Sequence, residues 1–206
     1  YRSHPFSKNR LEQLKRYKIK HQNTPVEEKK VLINNNIIPL KYIKNKIKAY
    51  NENPYKILKN QEKKVGFLSS YSQLVAFYKT GKYDLANQKL SILKNKYKDY
   101  PFFYELDGDI NYKKGNFNKA IIEYEKAIET IQGVFVPSID LLKFSLVKSL
   151  PQTNSSKNLN KSILILEELL FNNPNWSYLW RLLAKCSGKL NKIGVSYIAL
   201  AEEALI

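Results

Sequence analysis

One spacing constrains this chain more than any other feature. When "FYKTGKYDLANQKL" is laid over "NYKKGNFNKAIIEY", Tyr78 falls on Tyr112, Gly81 on Gly115, Tyr83 on Phe117 and Ala86 on Ala120, each pair 34 residues apart. A fixed period of this length marks a repeated supersecondary unit that cannot bury its apolar face alone. Each residue type has a mechanical reason to recur. Gly81 and Gly115 sit where one helix must stop and the next begin within a few residues, a turn that calls for a left-handed backbone. Ala86 and Ala120 lie early in the second helix, where a small side chain lets the two helices approach closely; a Leu there would overpack by about 1–3 kcal/mol. Gly108 takes the matching small position in the first helix of the middle unit. Ala120, Ile121, Tyr124, Ala127 and Ile128 follow at helical spacing and make one apolar face.

Period and residue types together resemble the tetratricopeptide (TPR) helix hairpin. The best match runs over 100–132, with Asp107 where the pattern usually has Leu. Two further units follow. "SILILEELLFNNP" puts Ser162, Leu166, Leu169 and Pro174 at the Ala, aromatic, Ala and Pro positions, but 42 residues after the middle unit. The polar run "QTNSSKNLNK" reads as the loop between helices that accounts for the extra length. Trp180, Leu183 and Ala184 then take the Trp, Leu and small positions of a last first helix, and "SYIALAEEALI" supplies its partner. The expected repeats are about 67–99, 100–133, 138–174 and 175–206, inside a TPR-like solenoid over 65–206.

Residues 1–64 are helical in pattern but carry no repeat. "TPVEEKK" is a helix start, with Thr24 as cap, Pro25 at the first position and Glu27 completing a capping box. Ser7 caps an expected earlier helix carrying Leu11 and Leu14. A third helix is expected from about Leu40 to Tyr50, stopping before Asn53-Pro54. No strand pattern is expected. The fold class is therefore all-α, a TPR-type helical-hairpin solenoid preceded by a helical linker.

Composition supports a folded chain, since 43% hydrophobic and 13% aromatic residues are too many for a disordered one. The net charge of +17 is concentrated at the start: residues 1–64 hold seventeen Lys/Arg against five Asp/Glu. A basic arm of this kind suits an anionic partner. Lys outnumbers Arg 31 to 4, however, and Asn is abundant, which favours a bias in how solvated positions are filled over a nucleic-acid interface. A nucleic-acid binder is the weaker alternative, and it predicts affinity that falls steeply with salt. The longest uncharged stretch, Val65 to Tyr78, is shorter than the roughly 20 apolar residues of a membrane span. The lone Cys186 excludes an internal disulfide and a cysteine-based zinc site.

"SHPFSKNRL" near the start resembles the His-Pro-x-x-x-x-Arg-Ile/Leu segment that follows the catalytic domain in zinc metallopeptidases of the HtpX and CAAX-protease class. The matching residues are His4, Pro5, Arg10 and Leu11. "YPFFYELDGD" and "NPNWSYLWRLLAKCSGKLNKIGVSYIALAEEAL" resemble the first helix and the last repeat of the TPR domain in the periplasmic, β-barrel assembly-enhancing branch of that class. The resemblance implies a catalytic zinc held by H-E-x-x-H and a downstream Glu. This chain has only His4 and His21, neither in such a motif. No catalytic and no metal residue is therefore expected in this chain. The chain also holds no Met, starts at Tyr1 and stops at Ile206 within an amphipathic helix. The expectation is a segment of a longer enzyme whose zinc domain lies upstream, with His4 near the metal only in the complete protein and the linker packed on that missing domain.

A TPR solenoid binds along the face formed by its first helices. In the register above, that face holds Tyr71, Val75, Tyr78 and Lys79 from one repeat and Glu105, Asp109, Tyr112 and Lys113 from the next. Glu105 and Asp109 stand where a carboxylate-binding clamp needs Lys and Asn, which disfavours acidic C-terminal peptides as ligands. By resemblance the partners are client proteins or outer-membrane assembly proteins in the periplasm. A stand-alone cytoplasmic TPR adaptor is the alternative.

Overall fold

In the computed structural model, which describes residues 31–33, 36–38, 40–59, 66–97, 100–131 and 138–206, the two glycines of the 34-residue spacing make the same turn. Gly81 has φ +74° and Gly115 φ +78°. At each, the glycine N–H donates to the tyrosine carbonyl three residues back, Tyr78 or Tyr112, over 3.1 Å. The following N–H, of Lys82 or Asn116, donates to the carbonyl five residues back, Phe77 or Asn111, over 2.9 Å. A Cβ at either glycine would meet nothing within 4 Å, so the requirement is the left-handed backbone and not space. Asn191, at φ +56°, makes a third turn of this kind: its N–H reaches Gly188 O and that of Lys192 reaches Ser187 O. The sequence pattern missed it because asparagine replaces glycine, a substitution the left-handed region tolerates.

These turns join antiparallel helices. The first hairpin is α3 (Phe67–Lys79) with α4 (Tyr83–Lys96), and the second is α5 (Pro101–Lys113) with α6 (Phe117–Ile131). The third is α7 (Ser138–Ser149) with α8 (Ser156–Asn172), and the fourth α9 (Ser177–Lys189) with α10 (Ile193–Leu205). Each helix packs chiefly on its neighbours in sequence. The third hairpin departs from the expected long loop. A single 3-10 turn, Leu150–Thr153, follows α7, and "SKNLNK" is already helical. The cause is that one apolar face suffices for a helix: Leu159, Ile163 and Leu166 recur at i, i+4 and i+7 and are all buried.

Two helices precede the hairpins. α1 (Leu40–Asn51) and α2 (Pro54–Lys59) both pack on α3. Ala49 of α1 is fully buried in the same core as Tyr71, Leu74 and Phe103, so the expected division at residue 64 does not separate two cores. The remaining elements are β1 (Val31–Ile33) and β2 (Asn36–Ile38), an antiparallel pair with Val31 opposite Ile38. This corrects the expectation of no strands. Branched apolar residues on either side of Asn34 and Asn35 carry the strand propensity, in a segment too short for the periodic patterns to register. Apart from that pair, the described residues are all-α. The expected helices around Ser7 and Thr24 lie outside them.

Packing explains the small residues. A Cβ on Gly108 would stand 2.6 Å from Cε1 of Tyr124, so the glycine makes room for a ring on the partner helix. In the first hairpin the corresponding pair is Leu74 and Leu90, both buried. One hairpin fills the space from both sides and the other from one. Ala86 and Ala120 are fully buried, as is Ser162 in the third hairpin, whose hydroxyl donates to Val147 O over 3.3 Å. Asp107, which departs from the apolar pattern, pairs with Lys94 of the preceding hairpin. Lys94 also pairs with Glu123 at 3.1 Å. Burial works to lower the Lys94 pKa, and the bonds to Asp107 and Glu123 outweigh it, leaving the ammonium favoured.

Candidate functional site

The face formed by the first helices α3, α5, α7 and α9 divides into a closed and an open part. At the closed end the face carries Tyr71, Val75, Tyr78 and Lys79. Tyr71 is 1% exposed and Val75 fully buried, so neither lines an open surface. α1 lies against α3: Asn45 Nδ2 donates to Leu68 O over 3.0 Å and Ser72 Oγ to Asn45 Oδ1 over 3.4 Å. Lys79 Nζ donates to Tyr50 O and Glu52 O at 2.7 and 2.9 Å, serving carbonyls at the end of α1 where a cation is favoured. Tyr78 is half-buried, and its phenol is pushed up by burial and then by the Asp109 carboxylate.

The second repeat's residues gather below this contact. Glu105 is ion-paired to Lys46, which reaches over from α1 and also lies 4.0 Å above the centre of the Phe102 ring. Asp109 accepts a hydrogen bond from the Tyr124 hydroxyl at 2.7 Å. Burial is the main cause that raises Asp109 to about 6; the Tyr124 bond opposes it, Glu105 adds to it, and Lys46 and Lys148 oppose it. Tyr112 is half-buried, with Lys148 Nζ 5.4 Å from its ring centre. Lys113 is exposed. The structure thus brings Tyr78, Glu105 and Asp109 within electrostatic reach of one another, sets Tyr112 beside Lys148, and leaves Lys113 exposed.

Beyond this cluster α7 and α9 carry aromatic side chains that the sequence reading missed. Phe102 and Tyr178 are each the second residue of their helices, α5 and α9, and Phe144 lies in the middle of α7. Phe144 stacks at a tilt on Trp176 with centroids 4.8 Å apart and meets Tyr178 edge-on at 5.7 Å. Lys148 Nζ sits 5.1 Å from the Phe144 ring, between Phe144 and Tyr112. Tyr178 is 42% exposed. Phe144 and Tyr178 stand 34 residues apart but Phe102 and Phe144 stand 42 apart, so the 34-residue spacing of the turns does not carry the three together. The arrangement offers apolar faces, carboxylates and one lysine to a chain laid across the helices, and no nucleophile with an adjacent base.

Among the described residues, no three His, Cys, Asp or Glu side chains are placed to hold a metal ion. His4, Pro5, Arg10, Leu11 and His21 lie outside those residues. No described helix is long and apolar enough to cross a membrane. No protein-family model matches the chain, and no curated protein matches it.

Proposed function

We propose that this chain is a TPR-type solenoid whose first-helix face holds an extended or helical segment of another protein. The observation that carries this reading is the aromatic group of Phe144 on α7 with Trp176 and Tyr178 at the start of α9, flanked by Tyr112 and Lys148. Rigid aromatic rings give contact area at low entropic cost. The matching turns at Gly81, Gly115 and Asn191 support the repeat assignment. The site differs from the sequence-based one in its centre, which moves away from Tyr71 and Val75 towards α7 and α9.

The likeness of "SHPFSKNRL" to the segment after the catalytic domain of envelope zinc metallopeptidases supports a more specific reading. In it the chain is the non-catalytic interaction region of a periplasmic zinc metalloendopeptidase, and it keeps client or outer-membrane assembly proteins near the zinc domain for quality-control proteolysis. Tethering of this kind raises local substrate concentration without a catalytic group in this chain.

A photoreactive residue placed at Tyr112 or Tyr178 tests the binding face. Adducts with a partner protein are expected from these positions and not from Phe171, which is 89% exposed on the second helix α8. Equal adducts from Phe171, or loss of none by Tyr112→Ala with Tyr178→Ala, would remove this face as the site. The protease assignment has its own test in the genomic DNA. A reading frame upstream of the Tyr1 codon with H-E-x-x-H supports it, and an in-frame stop there ends it.

A further inference from the structure

The charged groups of α5, α7 and α9 are unevenly matched. On α5, Glu105 is paired with Lys46 and Asp109 accepts from the Tyr124 hydroxyl. The one acid of α7, Asp140, accepts from Asn173 Nδ2 at 3.2 Å, and α9 contains no acid at all. The cations differ. Lys113 and Lys185 are exposed and Lys148 is half-buried, and among the described residues none of the three is within ion-pair distance of a carboxylate. Rings stand beside them. Burial and then Tyr178 raise the Tyr112 phenol, so Tyr112 and Tyr178 lie within electrostatic reach of each other across α7. On α9 the exposed residues Tyr178, Arg181 and Lys185 fall at i, i+3 and i+7, one side of the helix, while Leu179, Leu182 and Cys186 fill the other. Arg181 is answered by Glu203 at 2.5 Å, which leaves Lys185 as the unmatched charge of that side.

We propose that the protein segment held across α5, α7 and α9 is acidic and extended, its carboxylates meeting Lys113, Lys148 and Lys185 and its apolar side chains lying on Tyr112, Phe144 and Tyr178. This rests on the reading of the first-helix face as the binding surface and names the chemistry of its occupant. Charge complementarity chooses it: the acids of these helices are answered within the chain, and the three lysines are not. A net charge of +17 adds long-range attraction for an anionic segment. Glu105 and Asp109 disfavour a carboxylate at their own positions, and the unmatched lysines lie beyond them, from the end of α5 to α9. Spacing fits an extended chain. Packed helices lie about 8–10 Å apart and an extended chain rises about 3.3 Å per residue, so about three residues reach from one helix to the next. A nucleic acid would carry phosphates past Glu105 and Asp109 as well, whereas a protein segment sets its carboxylates only where the lysines stand.

Panning a random peptide library on the whole chain, followed by titration of the selected peptides as labelled probes, tests the proposal. Selected peptides are expected to carry Asp or Glu interleaved with aromatic or branched apolar residues. Lys113→Glu with Lys185→Glu is expected to weaken them about tenfold, with an unchanged helical signal because both positions are exposed. Lys56→Glu with Lys59→Glu makes the same change of charge on α2 and is expected to leave the affinity as it was. Equal losses from the two pairs would mean attraction to net charge alone and overturn the proposal. A library that enriches basic or uncharged peptides, or none, overturns it too, as does a single-stranded oligonucleotide that displaces the selected peptides at equal concentration. The photoreactive residue at Tyr178 separates this failure from that of the face itself. Adducts there with a segment poor in Asp and Glu sink the acidic partner and keep the face, while absence of adducts removes the face.

Discussion

The first and second hairpins share one backbone turn and one register, yet they present opposite surfaces. On α3 the first-helix face offers Tyr71 and Val75, buried beneath α1. On α5, at 34 residues' remove, the same two positions are Glu105 and Asp109. The neighbours account for the difference. Where α1 lies flat on α3, apolar side chains remove area from water; where only Lys46 of α1 reaches across, a carboxylate answers it. Register therefore fixes where a side chain points, and residue type records what lies against it.

The strongest way to break this comparison is to take the cover off. Ala49→Asp places an unpaired carboxylate in the fully buried contact between α1 and α3, with an expected cost of about 3–5 kcal/mol. Hydrogen exchange should then accelerate along α1 and in α3 around Tyr71, and leave α9 and α10 unchanged. Uniform acceleration along all four hairpins would mean that α1 is not a local cover.

The cores of the same two hairpins can be exchanged. Gly108→Leu drives a side chain into the Tyr124 ring and is expected to destabilise by about 1–3 kcal/mol in urea unfolding. Adding Tyr124→Leu reproduces the Leu74 and Leu90 pair of the first hairpin and should recover most of the loss. A double variant no better than the single would show that the two hairpins are not interchangeable in packing.

The smallest effect sharpens the electrostatic side. Asp109 rises from 3.8 to about 6 in the folded state, mainly through burial. Between those values the unfolded chain gives up this proton while the folded chain keeps it, so stability falls as pH increases from about 4 to about 6 and is then level. Asp109→Asn retains an acceptor for Tyr124 and removes the charge. It is expected to flatten that slope and to gain about 1–2 kcal/mol at pH 7, because the site is only partly closed to water. An unchanged slope in the variant would assign the titration to another group.

Much of this could be read from the residues alone. Gly81, Gly115, Gly108, Ala86 and Ala120 are local requirements: a left-handed turn or a close approach leaves one or two residue types, and the period makes them visible. Asn191 and Ser162 escaped or weakened the pattern because asparagine and serine satisfy the same requirement with different chemistry. The placement of α1 could not be read. Its contact with α3 joins residues about 25 positions apart, such as Asn45 and Leu68, and depends on which of several apolar faces finds it first. Without that placement Tyr71 and Val75 fall on the open face of the repeat pattern, although α1 covers them.

Cys186 is fully buried between α8 and α9, its sulfur 3.6 Å from the Ser162 hydroxyl on the neighbouring helix. Enclosure also raises the thiol's pKa, which slows any attack on a reagent while the helices stay together. The chain therefore contains its own clock. The rate at which a thiol reagent finds this sulfur counts how often α8 and α9 part, and because no other cysteine is present the signal belongs to that seam alone.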